Sequence, residues 1–218
     1  MYFSQKPREP ENLSWLWVGL WVFFIYGSIP LARSVKVATY GLGAKLLFLW
    51  ITFFALLLVV VWLIRASLRG ELALSPIQMA ILALILGVFA SLTWALRAHP
   101  EEAFHFVQYG VLSFLLFRAL SHRIPDPSIY LAAVTIGFVF GIVDELIQWV
   151  VPRRYFDLRD IGINLLSVML IQLGIAAGIR PAFIRGKMSS SGLTLALWGA
   201  IVTLALFALS LTIKSPTL

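Results

Sequence analysis

Few residues of this chain can do chemistry, and those few are gathered in one stretch. His105 and Tyr109 stand four residues apart, so a helix would place them on one face with Gln108 beside them. Asp144, Glu145 and Gln148 follow, and then Asp160 and Asn164, again four apart. Between these groups the segment PRRYFDLR, Pro152 to Arg159, supplies Arg153, Arg154 and Asp157. An imidazole and a carboxylate can exchange protons near neutral pH, and guanidinium groups hold phosphate through paired hydrogen bonds. Such a set suits the binding of an anionic polar group. Nothing supplies a nucleophile: there is no cysteine, no nucleophilic serine motif and no HExxH pattern. His, Glu and Asp from three segments could take a divalent cation, but no metal-ligand spacing supports it. The expectation is therefore no metal and no cofactor.

The elements that must position these groups are set by composition. Of 218 residues 61% are hydrophobic and only 12% charged, and the mean hydropathy is +0.93. One water-soluble core could not hide that much apolar surface. Apolar runs extend from Leu13 to Ala32, Lys45 to Ile64, Ile77 to Leu96, Ala103 to Leu120, Ser128 to Val151, Ile161 to Ile179 and Leu193 to Ile213. Each approximates the length of about 20 residues that crosses a bilayer as a helix. Lipid offers no partner to backbone N–H and C=O groups, and the runs are too continuous for barrel strands. The fold class expected is all-α: a polytopic transmembrane helix bundle of about seven spans, with the first interrupted near Pro30. Polar connectors punctuate it, and in GKMSSSG, Gly186 to Gly192, a serine can cap the last helix. The polar N-terminal dozen residues read as a tail rather than a cleavable signal.

A net charge of +7 and a pI near 10.1 reflect basic residues spread among the connectors. Membrane lipids are the partner this implies, not nucleic acid. Lys and Arg divide almost evenly between the two sides, so they do not set an orientation.

Antiparallel connectivity brings the start of span four, the end of span five and the start of span six to one membrane surface. The polar residues can therefore converge into a pocket of His105, Tyr109, Glu145, Gln148, Arg153, Arg154, Asp160 and Asn164. Glu145 is the most costly, being inside an apolar run and near a helix C-terminus, where the macrodipole disfavours a negative charge. A partner is expected from Arg153, Arg154, His105 or Gln148. Plainer roles compete: Asp160 immediately before an apolar run resembles an N-cap, Asn164 can bond a neighbouring helix, and His105 and Tyr109 suit the interface. Gly137 with Gly141, and Gly174 with Gly178, are spaced for close helix packing.

HFVQY at His105 to Tyr109, followed by DELIQWVVPRRYFDLRDIGIN at Asp144 to Asn164, resembles the VanZ-like family. The family pattern has His-Phe-x-x-Tyr, Glu-x-x-Gln, a Pro-x-Arg turn, and a downstream Asp and Asn. The matching positions are His105, Phe106, Tyr109, Glu145, Gln148, Pro152, Arg154, Asp160 and Asn164. Glu101 and Glu102 stand where Asp-Lys is frequent, Arg153 replaces the Gly of the turn, and Ser167 stands where Gly often follows the Asn. The resemblance covers roughly Leu84 to Gly178. It implies a four-helix core over 77–184, preceded by a tail and two additional helices over 1–76 and followed by a connector and a last helix over 185–218. It also implies a multi-pass protein of the bacterial cytoplasmic (inner) membrane and cell envelope. Two functions follow as expectations. One is a site for a lipid headgroup or lipid-linked envelope component. The alternative is a non-catalytic accessory or assembly subunit packed against other membrane-protein subunits. A transporter is less supported, because the acidic residues lie near one edge and no inverted repeat is evident.

Overall fold

The structure, a computed structural model, describes residues 8–38, 42–98, 100–151 and 156–212. The described residues form helices and connectors. The helices are α1 (Glu11–Ala38), α2 (Leu42–Leu68), α3 (Pro76–Ala95), α4 (Pro100–Leu120), α5 (Ser128–Val150), α6 (Leu158–Leu173), which continues as a π-helical turn (Gly174–Ile179), and α7 (Ser190–Ser210). Seven are long and apolar enough to cross a membrane. Large side chains such as Phe23, Trp50, Phe54, Leu84, Trp198 and Leu204 are exposed along them, an arrangement that water would penalise and lipid does not. The protein is a multi-pass membrane protein.

Local chemistry explains several boundaries. Ser75 caps α3 through a reciprocal capping box with Gln78, and Pro76 occupies the first helical position, where its missing N–H is harmless. Ser189 accepts a hydrogen bond from the Gly192 N–H and so caps α7, as the serine run implied. Two expectations are corrected. α1 is not broken at Pro30 but runs through it; the ring removes one backbone donor, a loss that a membrane helix tolerates. The cap of α6 is Asp157, which accepts from the Arg159 N–H at 2.8 Å, so Asp160 lies inside the first turn.

The interior is built around α4, which packs on α6, α2, α1 and α5, while α5 also meets α6 and α7. Within their spans 61% of α4 is buried and only 6% of α2, so α4 is the axis and α2 largely meets lipid. Polar groups stitch α4 to α6. Ser167 Oγ donates to the Phe106 carbonyl, Ser113 Oγ donates to the Val168 carbonyl, and Gln172 donates to Ser113. The glycine pairs act by proximity. A Cβ on Gly137 would meet Val168 at 2.9 Å, and one on Gly178 would meet Leu82 at 2.5 Å. These positions set the separation of α5 from α6 and of the π turn from α3.

Candidate functional site

The start of α4, the end of α5 and the start of α6 lie together at one membrane surface, called here the site surface. Residues of all three helices meet there. His105 Nδ1 is 3.8 Å from Asp144 Oδ2. The His105 and Tyr109 rings stack at 6.3 Å, as their four-residue spacing requires. The Tyr109 hydroxyl donates to the Phe140 carbonyl at 3.2 Å. From α1, the Tyr26 hydroxyl donates to that same carbonyl at 3.1 Å.

Glu145 is fully buried, five residues before the end of α5. Its Oε1 accepts from Gln148 Nε2 at 2.7 Å and its Oε2 accepts from the Asp157 backbone N–H at 2.9 Å. Gln148 is among the partners expected from sequence; the backbone donor is not. The second bond ties the end of α5 to the residue that caps α6, so one side chain secures both ends of the connector. Arg153 and Arg154, with Pro152 and Tyr155, lie outside the described residues.

Asn164 does not bond a neighbouring helix. It is fully buried, and neither Oδ1 nor Nδ2 has a hydrogen-bond partner. It sits where α5 comes closest: a Cβ on Gly141 would lie 3.1 Å from Asn164 Cβ and 3.7 Å from the Tyr109 ring. The glycine admits the amide, and Tyr109 closes over it. Asp160, one helical turn nearer the surface, is half-buried.

Exposure falls steadily along this set. The Arg159 side chain is 54% exposed and pairs with Glu102 at 3.2 Å; Glu102 is 14% and His105 15% exposed; Asp144 is 1% and Asn164 0% exposed. Polar groups thus descend from the headgroup zone into the bundle. Sequence reasoning placed Asp144 beside the pocket without selecting it as a site residue. Because α5 is covered by α4 on one side and α6 on the other, two consecutive carboxylates both point inward, Asp144 toward α4 and Glu145 toward the connector. The Glu102–Arg159 pair and Tyr26 were also missed, since charge and a lone tyrosine carry no address in a sequence. Gln108, by contrast, turns away and donates to Ser28 of α1 at 3.1 Å. Among the described residues no three His, Asp or Glu side chains are placed to hold a metal ion.

The VanZ/LLP1 family profile matches residues 15–178, more than half of the chain and all of the polar cluster. The chain belongs to the VanZ/LLP1 family. The match reaches well beyond the stretch from Leu84 that carries the motifs, so it takes in α1 and α2 as well. The His-Phe-x-x-Tyr and Glu-x-x-Gln elements of this VanZ-like protein are therefore neighbours in space: one lies on α4, the other on α5, joined by the His105–Asp144 contact and the shared Phe140 carbonyl. Comparison with curated proteins and with solved structures returns no match.

Proposed function

We propose that the polar cluster of this family member is the floor of a site for the headgroup of a membrane lipid or lipid-linked envelope component, in a bacterial cytoplasmic membrane. The observation that carries the reading is Asn164: a fully buried amide without a protein partner, placed beneath Tyr109 at the inner end of a descending row of polar side chains. Buried polar groups are nearly always satisfied, and an exception inside a membrane marks a place where a ligand or ordered water completes the bonding. The row suits a group with both donors and acceptors. His105 and Asp144 provide a proton-exchanging pair, Tyr109 a phenol, and the connector sequence brings Arg153 and Arg154 toward an anionic phosphate. Binding alone accounts for every group, so catalysis is not invoked.

The test is the lipid that accompanies the purified protein. Lipids extracted from wild type, His105→Ala and Asn164→Leu are compared by mass spectrometry, with helical content checked by circular dichroism. A species enriched on wild type and depleted from both variants supports the reading. An identical lipid complement on all three folded proteins sinks it and leaves the accessory-subunit role as the better account.

A further inference from the structure

A second feature lies on the other flank of α4, away from the polar cluster. It is a groove of about 520 Å³ walled by α2, α3, α4 and the junction of α6 with its π turn. It exists because α3 leans chiefly on the π turn and touches α4 little. The walls are apolar almost throughout, Phe89 and Phe106 near one end and Phe114 near the other, and the charged residue on the lining is Arg118. Along α4 the lining runs from Phe106 to Arg118, about 18 Å at the rise of a helix. A further helix about 10 Å across would need roughly 1,400 Å³ over that length. The groove holds far less, and its long, narrow, apolar form fits a single alkyl chain.

Two glycines support this assignment. Gly110 and Gly174 line the groove, and a Cβ on either would meet its neighbours only at ordinary distances, 3.5 Å and 3.7 Å at the nearest. Unlike Gly137 and Gly178, they are not demanded by helix contact; their effect is to keep the groove deep. The π turn, a rare geometry that recurs at functional positions, forms part of the same wall.

The charge at the far end names the lipid. Arg118 stands where α4 leaves the membrane opposite the site surface, its guanidinium 5.8 Å over the Phe114 ring and paired with Glu9. A guanidinium has five donors, so one carboxylate leaves it able to hold a second anion. The described tail and connectors at that surface, with Arg118, carry eight Lys and Arg against four Asp and Glu. We propose that the groove seats one acyl chain of an anionic phospholipid, its phosphate held at Arg118.

The experiment is native mass spectrometry of the full chain titrated with phosphatidylglycerol or phosphatidylcholine bearing the same chains. Wild type is expected to retain phosphatidylglycerol at least tenfold better. Val111→Trp, which fills the groove from α4, and Ala55→Phe, which fills it from α2, are each expected to lose that retention while keeping wild-type helicity. Arg118→Gln is expected to retain the two lipids equally, and Arg118→Lys to restore the preference. Equal retention of both lipids by wild type overturns the proposal. So does undiminished retention by both groove-filling variants, or a shift of either variant from dimer to monomer, which would assign the groove to a second copy of the chain. None of these substitutions touches the polar cluster, so failure here leaves the headgroup reading standing.

Discussion

Replacing Glu145 separates a carboxylate that holds the protein together from one that merely suffers burial. Its two oxygens accept from Gln148 Nε2 and the Asp157 N–H, and the side chain has no exposed surface. In Glu145→Gln the new amide can turn its oxygen toward the Asp157 N–H, which cannot rearrange, while Gln148 flips to accept from the new NH2 group. Both bonds survive in neutral form, so the cost is expected to be under about 1 kcal/mol, the difference between a charged and a neutral hydrogen bond. Glu145→Leu leaves both donors behind. A stranded buried donor costs about 1 to 3 kcal/mol, and the Asp157 N–H lies near enough to the surface for water to recover part of its share. The expected loss is therefore about 2 to 4 kcal/mol, reduced by the relief of removing a buried acid. The double variant Glu145→Leu/Gln148→Leu removes one stranded donor and should recover about 1 kcal/mol relative to Glu145→Leu, a coupling a double-mutant cycle measures directly. Denaturant unfolding of the four proteins in one detergent is the assay. If Glu145→Leu equals or exceeds wild type in stability, the carboxylate does not secure the connector and the reasoning fails.

Three further outcomes are expected. Hydrogen bonds donated by Ser128 hold the Asp126 carboxyl below the usual aspartate range. The stability this contributes is full above pH about 3.9 and disappears as pH falls from there through the depressed folded value; Asp126→Asn should flatten that part of a stability-against-pH curve, and an unchanged acid limb would contradict it. Gly137→Ala drives a methyl to within 2.9 Å of the stiff, β-branched Val168, so it should cost about 1 to 3 kcal/mol and be rescued by Val168→Ala, as unfolding of the single and double variants will show. Because the chain has no cysteine, single cysteines at Arg69 and Lys187 should react with an impermeant maleimide from one side of sealed vesicles and a cysteine at Arg97 from the other; labelling of all three from one side would refute the seven-span order.

Amino-acid sequence alone determined the class of fold and the region of the site. Hydropathy is a property of each residue, and a bilayer converts a long apolar run into a helix because no other backbone arrangement satisfies its own hydrogen bonds. Antiparallel order then sends His105, Glu145 and Asp160 to one surface without any knowledge of packing. What only the tertiary structure decided are the pairings. Glu145 finds a backbone N–H twelve residues away, Asp144 faces His105, Tyr26 and Tyr109 share the Phe140 carbonyl, and Asn164 lies unpaired against Gly141. Asp157 rather than Asp160 caps α6, a shift of one turn that hydropathy cannot resolve because both carboxylates precede the same apolar run. The groove beside α4 exists because α3 leans on the π turn, and that turn depends on how Gly178 meets Leu82. Contacts of this kind depend on rotation and separation between helices, which side-chain packing sets in three dimensions and a one-dimensional pattern of apolar residues does not carry.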